Sequence, residues 1–187
     1  SGTTGKPKGV AVPHRALGAF EAYMRYAVDL LPADSYWNLA DPGWAYGLYY
    51  AALGPLLLGQ AVTFYNGPFT VDSTCEVLRR FSITNLAGAP TAYRLLMAQV
   101  DDQLRALEGR LRVVSSAGEA LNPEAIRWFR EELQSPIHDH YGQTEGGMML
   151  ANHHGLGHPV IPGTAGRALP GFRLAVLGDD ENELAPG

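Results

Sequence analysis

The chain has almost no cysteine, no long apolar run and little charge. Its single thiol, Cys75, excludes an internal disulfide and suits a reducing compartment. No run approaches the roughly 18 apolar residues that a membrane-spanning helix needs. No signal peptide is visible either, so the expectation is a cytoplasmic protein with no membrane span. Charged residues make up 18 % of the 187, while apolar residues make up 46 %, enough for a proper core. The 14 Lys and Arg against 19 Asp and Glu leave a net charge of −5. With no basic block to offset it, a nucleic-acid partner is not expected. A G-x-S-x-G hydrolase elbow is missing. Asp179-Asp180-Glu181-Asn182-Glu183 lacks the EF-hand spacing and central glycine, and reads as a solvated hairpin tip.

What the chain does have is concentrated at its start. Ser1-Gly2-Thr3-Thr4-Gly5-Lys6-Pro7-Lys8-Gly9 holds three glycines, three hydroxyls and two lysines. Glycines let a backbone take positive φ and approach a ligand without a Cβ in the way. Successive N–H groups in such a turn form an anion-binding concavity, to which hydroxyls add donors and lysines add charge. The pattern suits a loop holding a nucleoside triphosphate. It is not a Walker A loop, because Gly5 is followed by Lys6-Pro7, and Pro7 has no N–H to give a phosphate. Composition alone would also fit a flexible linker, but the loop runs directly into apolar Val10-Ala11-Val12.

Periodicity predicts alternating elements. Strands are expected at Val10–Val12, Tyr36–Ala40, Ala61–Tyr65, Thr84–Ala87, Arg112–Ser115 and Pro136–His140. Helices are expected at His14–Val28, Trp44–Leu58 (almost wholly apolar, hence buried), Val71–Phe81, Pro90–Val100 and Glu124–Leu133, the last capped by Asn122-Pro123. A hairpin is expected from Arg173–Leu177 and Glu183-Leu184, and there is no internal repeat. Such alternation implies right-handed βαβ units and an α/β fold, a mostly parallel sheet with helices on both faces. Ligands then sit beyond the carboxyl ends of the strands, against loops 41–44, 87–90, 116–120 and 141–145. The α/β core is expected over 1–164 and the start of a small β region over 165–187.

Tyr141-Gly142-Gln143-Thr144-Glu145 follows one predicted strand. Glu145 is a hard oxygen ligand suited to Mg²⁺, Thr144 can donate to a phosphate oxygen, and Tyr141 offers a face for adenine. A polar turn with a solvated glutamate would explain the same residues. Ser116-Ala117-Gly118-Glu119-Ala120 follows another strand, and by itself is an ordinary strand–helix connection. His138 and His140 should point to one face of their strand, and His153, His154 and His158 cluster in a loop. No cysteine joins them and the spacing suits no standard zinc site, so a hydrogen-bonding or solvent-facing role is expected.

The loop Ser1–Gly9 resembles the phosphate-binding signature of the adenylate-forming superfamily, which comprises acyl-CoA synthetases, adenylation domains of peptide synthetases and luciferases. Tyr141–Glu145 resembles that family's second signature, in the expected order. The resemblance implies ATP bound by Ser1, Gly2, Thr3, Thr4, Gly5, Lys8 and Gly9 around the β- and γ-phosphates. It also implies Gly118, Glu119, Ala120 and Tyr141 at the adenine, with Gly142, Gln143 and Thr144 beyond. Lys8, Thr144 and Glu145 are the implied catalytic residues, with Mg²⁺ on Glu145. Asp41-Pro42-Gly43-Trp44 is similar to the turn of acyl-CoA synthetases, so Trp44, Tyr46, Gly47 and Ala87-Gly88-Ala89-Pro90 are implied to line an acyl pocket. Plain core packing is the alternative for the two aromatics.

Acetate-specific members carry a tryptophan where this chain has Gly142. That glycine implies an open volume for a medium-chain fatty or aryl acid, each buried methylene contributing about 0.8 kcal/mol. The implied chemistry is attack of a carboxylate on the α-phosphorus of ATP, then transfer of the acyl group to coenzyme A. The family's ribose-binding aspartate, hinge and mobile C-terminal domain have no counterpart in the sequence, nor has a strand before the loop. The expectation is an internal fragment of the large domain, inactive alone. A peptide-synthetase adenylation domain and a non-catalytic nucleotide-binding module remain alternatives, and the oligomeric state is open.

Overall fold

The computed structural model describes residues 6–99 and 102–185. Residues 1–5 of the phosphate-type loop therefore lie outside the described residues. Six strands form one sheet in sequence order: β1 Tyr36–Asn38, β2 Asn85–Gly88, β3 Val113–Ser116, β4 Ile137–Gln143, β5 Gly147–Ala151 and β6 Arg167–Ala168. β1 to β4 pair in parallel, whereas β4–β5 and β5–β6 pair antiparallel. The expected α/β class, with a mostly parallel sheet, is the one observed.

Strand alternation splits the core into two layers. Trp37, Leu86, Val114 and Ile137 point to one face. There they meet Cys75 and Leu78 of α4 (Val71–Arg80), Tyr93 and Leu96 of α5 (Pro90–Ala98), Leu104 of α6 (Asp102–Arg105) and Phe129 of α7 (Pro123–Leu133). Tyr36 and Ala87 point to the other face. They meet α1 (Ala16–Ala22), its π-helical continuation Tyr23–Ala27, and a helix over 45–57. That helix joins α2 (Ala45–Gly47), a π stretch Leu48–Leu53 and α3 (Gly54–Leu57). The two-sided cover follows from the path after β1. The chain first crosses to Thr63, which bridges Trp37 in parallel on β1's outer side, and only then returns through α4 to β2. Right-handed crossovers in opposite directions place their helices on opposite faces.

Local signals set the helix ends. Asn122 accepts the Glu124 N–H at 2.9 Å with Pro123 in the first turn, as expected. Thr70 and Ser73 form a reciprocal capping box at α4.

Several expectations need correction. Val10–Val12 is irregular, with Val10 half-buried and Ala11 and Val12 exposed, because among the described residues no strand lies beside it to complete a ladder. Ala61–Tyr65 makes a single bridge at Thr63, leaving Phe64 and Tyr65 exposed. The 45–57 helix buries one side only, since Leu48, Leu56 and Leu57 face outward. The 173–184 hairpin reduces to a Leu177–Glu183 bridge. β5 and β6 were not anticipated. β4 does not stop at His140 but runs three residues further.

Polar contacts lock the sheet to its cover. Arg112, at the start of β3, pairs with Asp34 and Asp29, and Thr84 donates to Asp34 at 2.8 Å. Burial would raise the Asp34 carboxyl, but hydrogen bonds from Arg112, Leu31 and Thr84 outweigh it and hold it low. His138 and His140 do share a face of β4, both contacting the Asn152 carbonyl, at 2.9 and 3.3 Å. The Tyr23 hydroxyl lies 2.9 Å from His140 Nδ1, and His154 stacks on His138 with ring centroids 3.7 Å apart. Burial first, and neighbouring imidazoles second, hold His140 down to about 3 and His154 down to about 2.

These neutral imidazoles make an acid-sensitive seam, with Arg112 and Arg130 adding positive charge around it. Below the unfolded histidine pKa of about 6.5 the unfolded chain binds more protons than the folded one. The unfolding free energy should therefore fall as pH drops from about 6.5, by up to about 1.4 kcal/mol per pH unit for each histidine. Urea unfolding between neutral and mildly acidic pH measures this slope. His154→Gln should flatten it by close to one proton.

Candidate functional site

The loops leaving β1 and β3 and the end of β4 converge on a cleft of about 1000 Å³. Of the residues singled out from sequence, Trp44, Tyr46, Gly118, Gly142, Gln143, Thr144 and Glu145 line it, joined by Pro7 of the glycine-rich loop. Position beyond the carboxyl ends of parallel strands is where an α/β sheet binds ligands.

The turn after β1 is shaped by Asp41. Its side chain accepts the Gly43 N–H at 2.6 Å and its carbonyl accepts the Trp44 N–H at 3.0 Å. A Cβ at Gly47 would come 2.0 Å from the Asp41 carbonyl oxygen, so this glycine lets the helix start against the turn. Gly47 is therefore a packing residue and does not line the cleft. Gly88 likewise faces the Leu39 side chain. Trp44 reaches across the cleft. A Cβ on Gly118 (φ +98°) would meet its indole at 2.5 Å, and its ring sits edge-on to Tyr46 at 5.4 Å.

Other predicted residues lie beside the cleft. Lys8, Gly9, Ala120 and Tyr141 are exposed and do not line it. The Tyr141 hydroxyl instead accepts a hydrogen bond from Gln143 at 2.8 Å. Glu119 is anchored to the first turn of α5 through Thr91 and Arg94 at 2.7 and 3.0 Å. The Thr91 hydroxyl, then Arg94, hold its carboxyl below the usual range. That anchoring fixes the 116–120 loop while its Gly118 faces the cleft.

Thr144 and Glu145 occupy the turn between β4 and β5. The ladder register shifts between Tyr141 and Gly142, which adds one residue to β5. A Cβ on Gly142 would meet the Gly147 carbonyl oxygen at 2.5 Å and Met148 Cα and Sδ at 2.7 Å. The volume that the missing side chain leaves is thus taken by β5 itself, which corrects the expectation of an empty space at Gly142. The cleft is open elsewhere, along Trp44, Tyr46 and Met148. A smaller hollow of about 310 Å³ lies against the same turn, walled by Val12, Arg15, Phe20 and Tyr49.

Sequence reasoning missed Tyr49, Tyr50 and Asp139. The first two line the cleft, and the spacing of Tyr46, Tyr49 and Tyr50 on one helix was the available signal. Asp139, on β4, has its carboxyl pushed up to about 6 by burial, and the Leu121 N–H holds it to the end of the 116–121 loop. Nothing in its own sequence neighbourhood marks it.

Among the described residues no three His, Cys, Asp or Glu side chains converge as a metal site. A cation here would need Glu145 together with oxygens of a bound polyphosphate, which is how Mg²⁺ is commonly held. Glu145 and the Thr144 hydroxyl supply hard oxygens at the right place, so the residues present fit that ion.

Fold and site together define an α/β domain whose cleft joins the polar Thr144–Glu145 turn to an aromatic wall. The family model for the AMP-binding enzymes matches residues 1–187, and the chain belongs to that family. It is 35 % identical, over its whole length, to the acetyl-coenzyme A synthetase of Bacillus subtilis, of which it covers 32 %. Among solved structures it is 59 % identical to the acyl-CoA synthetase of Brucella canis, with a TM-score of 0.95 over 98 % of this chain and 34 % of that one. The benzoate CoA ligase of Burkholderia xenovorans is 28 % identical with a TM-score of 0.84, covering 97 % of this chain and 37 % of that one. The ATP-bound MatB of Rhodopseudomonas palustris is 26 % identical with a TM-score of 0.85, covering all of this chain and 36 % of that one. The chain thus spans about a third of the length of the relatives it matches.

The close approach at Gly142 makes a direct prediction. Gly142→Ala should cost about 1–3 kcal/mol, because the Cβ meets backbone that cannot rotate away. Urea unfolding of the two forms measures the difference.

Proposed function

We propose that the full-length protein carrying these residues uses ATP to activate a carboxylic acid as an acyl-adenylate and then forms a thioester with coenzyme A. The observation that carries this reading is that the Thr144–Glu145 turn and the Trp44–Tyr46–Met148 wall open into one cleft of about 1000 Å³. One end offers hard oxygen donors for a polyphosphate and its ion, the other an apolar surface for an acid. Support comes from the relatives, which are acyl-CoA and acetyl-coenzyme A synthetases and a benzoate CoA ligase, and from an ATP-bound neighbour of the same fold.

The chemistry asks the chain mainly to position and to stabilise charge. The acid's carboxylate would attack the α-phosphorus in line while pyrophosphate leaves. Thr144 would donate to a non-bridging oxygen of that phosphate, and Lys8 with the Ser1–Gly9 loop would hold the outgoing phosphates. Mg²⁺, when bound at Glu145, supplies charge neutralisation for the leaving group. The Gly118–Ala120 segment, pinned by Glu119 to α5, would lie along the adenine. Trp44 and Tyr46 would keep water from the reacting carboxylate. For the acid we propose a medium-chain fatty or aryl acid, because the cleft of about 1000 Å³ along Trp44, Tyr46 and Met148 is wider than a two-carbon acid needs.

ATP–pyrophosphate exchange by the full-length protein should respond to hexanoate, octanoate or benzoate more than to acetate. Exchange with amino acids alone would move the acceptor to a carrier protein and sink the coenzyme A reading. Glu145→Gln should lower kcat by roughly 10²–10³-fold, the size of losing one preorganised charge-stabilising group. Steady-state rates at saturating acid measure it.

A further inference from the structure

The irregular pairing that makes the Thr144–Glu145 turn leaves one backbone donor to be satisfied from outside the sheet. Tyr141 pairs with Leu150 and Gly142 with Met148, so Met149 is the extra residue and the ladder breaks beside Met148. The Met148 N–H donates instead to the Tyr50 hydroxyl at 2.8 Å. A Cβ on Gly147 (φ +69°) would come 3.0 Å from that same hydroxyl oxygen, so the glycine lets the turn lie directly on it. A buried N–H without a partner is costly, so this single oxygen has leverage over the strand that follows Glu145.

Tyr50 is held rigidly enough to act as a template. It lies in the π stretch Leu48–Leu53, and its carbonyl accepts the Tyr36 hydroxyl at 2.9 Å. Its ring is 2 % exposed and packs on Tyr23 at 4.5 Å, Phe20 at 5.5 Å and Tyr46 at 5.9 Å. Through Tyr36 it is tied to β1, and through Tyr46 to the acid end of the cleft. We propose that Tyr50 is a positioning residue. Its hydroxyl fixes the β4–β5 turn and so sets where Thr144 and Glu145 stand relative to the aromatic wall. Resting on the function proposed above, this places the coupling between the acid end and the phosphate end in one aromatic side chain.

Tyr50→Phe in the full-length protein removes the oxygen and keeps the ring. The amides of 143–149 should then exchange with deuterium roughly tenfold faster, with β1–β3 unchanged, as expected when one buried hydrogen bond is lost. The kcat of acid-dependent pyrophosphate exchange should fall roughly tenfold while the acid KM stays within about twofold, the signature of lost transition-state positioning. Tyr93→Phe removes an equally buried hydroxyl bond, to the Ser115 carbonyl at 2.6 Å, and should change neither readout at the turn. Unchanged protection at 143–149, or a raised KM with kcat intact, would overturn the assignment. A wild-type protein without acid-dependent exchange would refute the proposed function, and the deuterium readout would still decide the role of Tyr50.

Discussion

The whole site hangs on β4 belonging to two ladders at once. Its first three residues pair in parallel with β3, and its last four pair antiparallel with β5. A strand that only closed a parallel sheet would end at the sheet's edge and hand over to a loop. Because β5 continues to pair with it, β4 carries regular backbone out over the carboxyl end of the sheet. The turn at its tip therefore inherits the rigidity of a ladder, which positions catalytic groups better than a free loop can. Every other part of the cleft is placed relative to that extension.

The two faces of the sheet serve different ends. The layer beneath α4–α7 is mostly aliphatic, centred on Leu86, Val114 and Ile137, and holds the parallel strands in register. The opposite layer is dominated by aromatic rings, among them Phe20, Tyr23, Tyr36, Tyr46, Tyr49 and Tyr50. Tyrosine buries a large apolar ring while keeping one polar atom that must find a partner. Here Tyr36 finds a helix carbonyl, Tyr23 finds His140 and Tyr50 finds the Met148 amide. The aromatic layer is thus both core and scaffold, and it touches the cleft directly.

The parts legible in the sequence were those written in local chemistry. Asn122-Pro123 announces a helix start whatever its surroundings, and Val113-Val114 or Leu86-Ala87 read as buried strands because both faces of a parallel sheet are covered. Thr144 and Glu145, marked by residue type after a strand, and Trp44, implied by the resemblance, all line the cleft. The errors share one cause: they depend on how the chain packs in space and not on the residue types of the segment itself. Val10–Val12 has the composition of a strand but no neighbouring strand. β5 was invisible because Met148–Ala151 is a short apolar run with no alternation to read, entered through Gly146-Gly147, and its strand character comes from pairing with β4. Gly47 and Gly142 looked like openings, and only their distances to Asp41 and to β5 show that they are points of backbone contact.

That last distinction changes what controls the room at this end of the cleft. A glycine in a binding loop leaves space only if nothing else moves into it. At position 142 the bulge in β5 brings the Gly147 carbonyl and the Met148 side chain to where a Cβ would stand. Substituent volume at position 142 and strand register at 147–149 are therefore alternative ways of filling one place. A large side chain at 142 would need β5 displaced, and glycine there keeps β5 close only if something takes the amide that the bulge frees. Tyr50 does so here. The breadth of the cleft, the glycine and the buried hydroxyl are consequently one structural choice, and changing any of them alone leaves either a clash or an unpaired amide behind it.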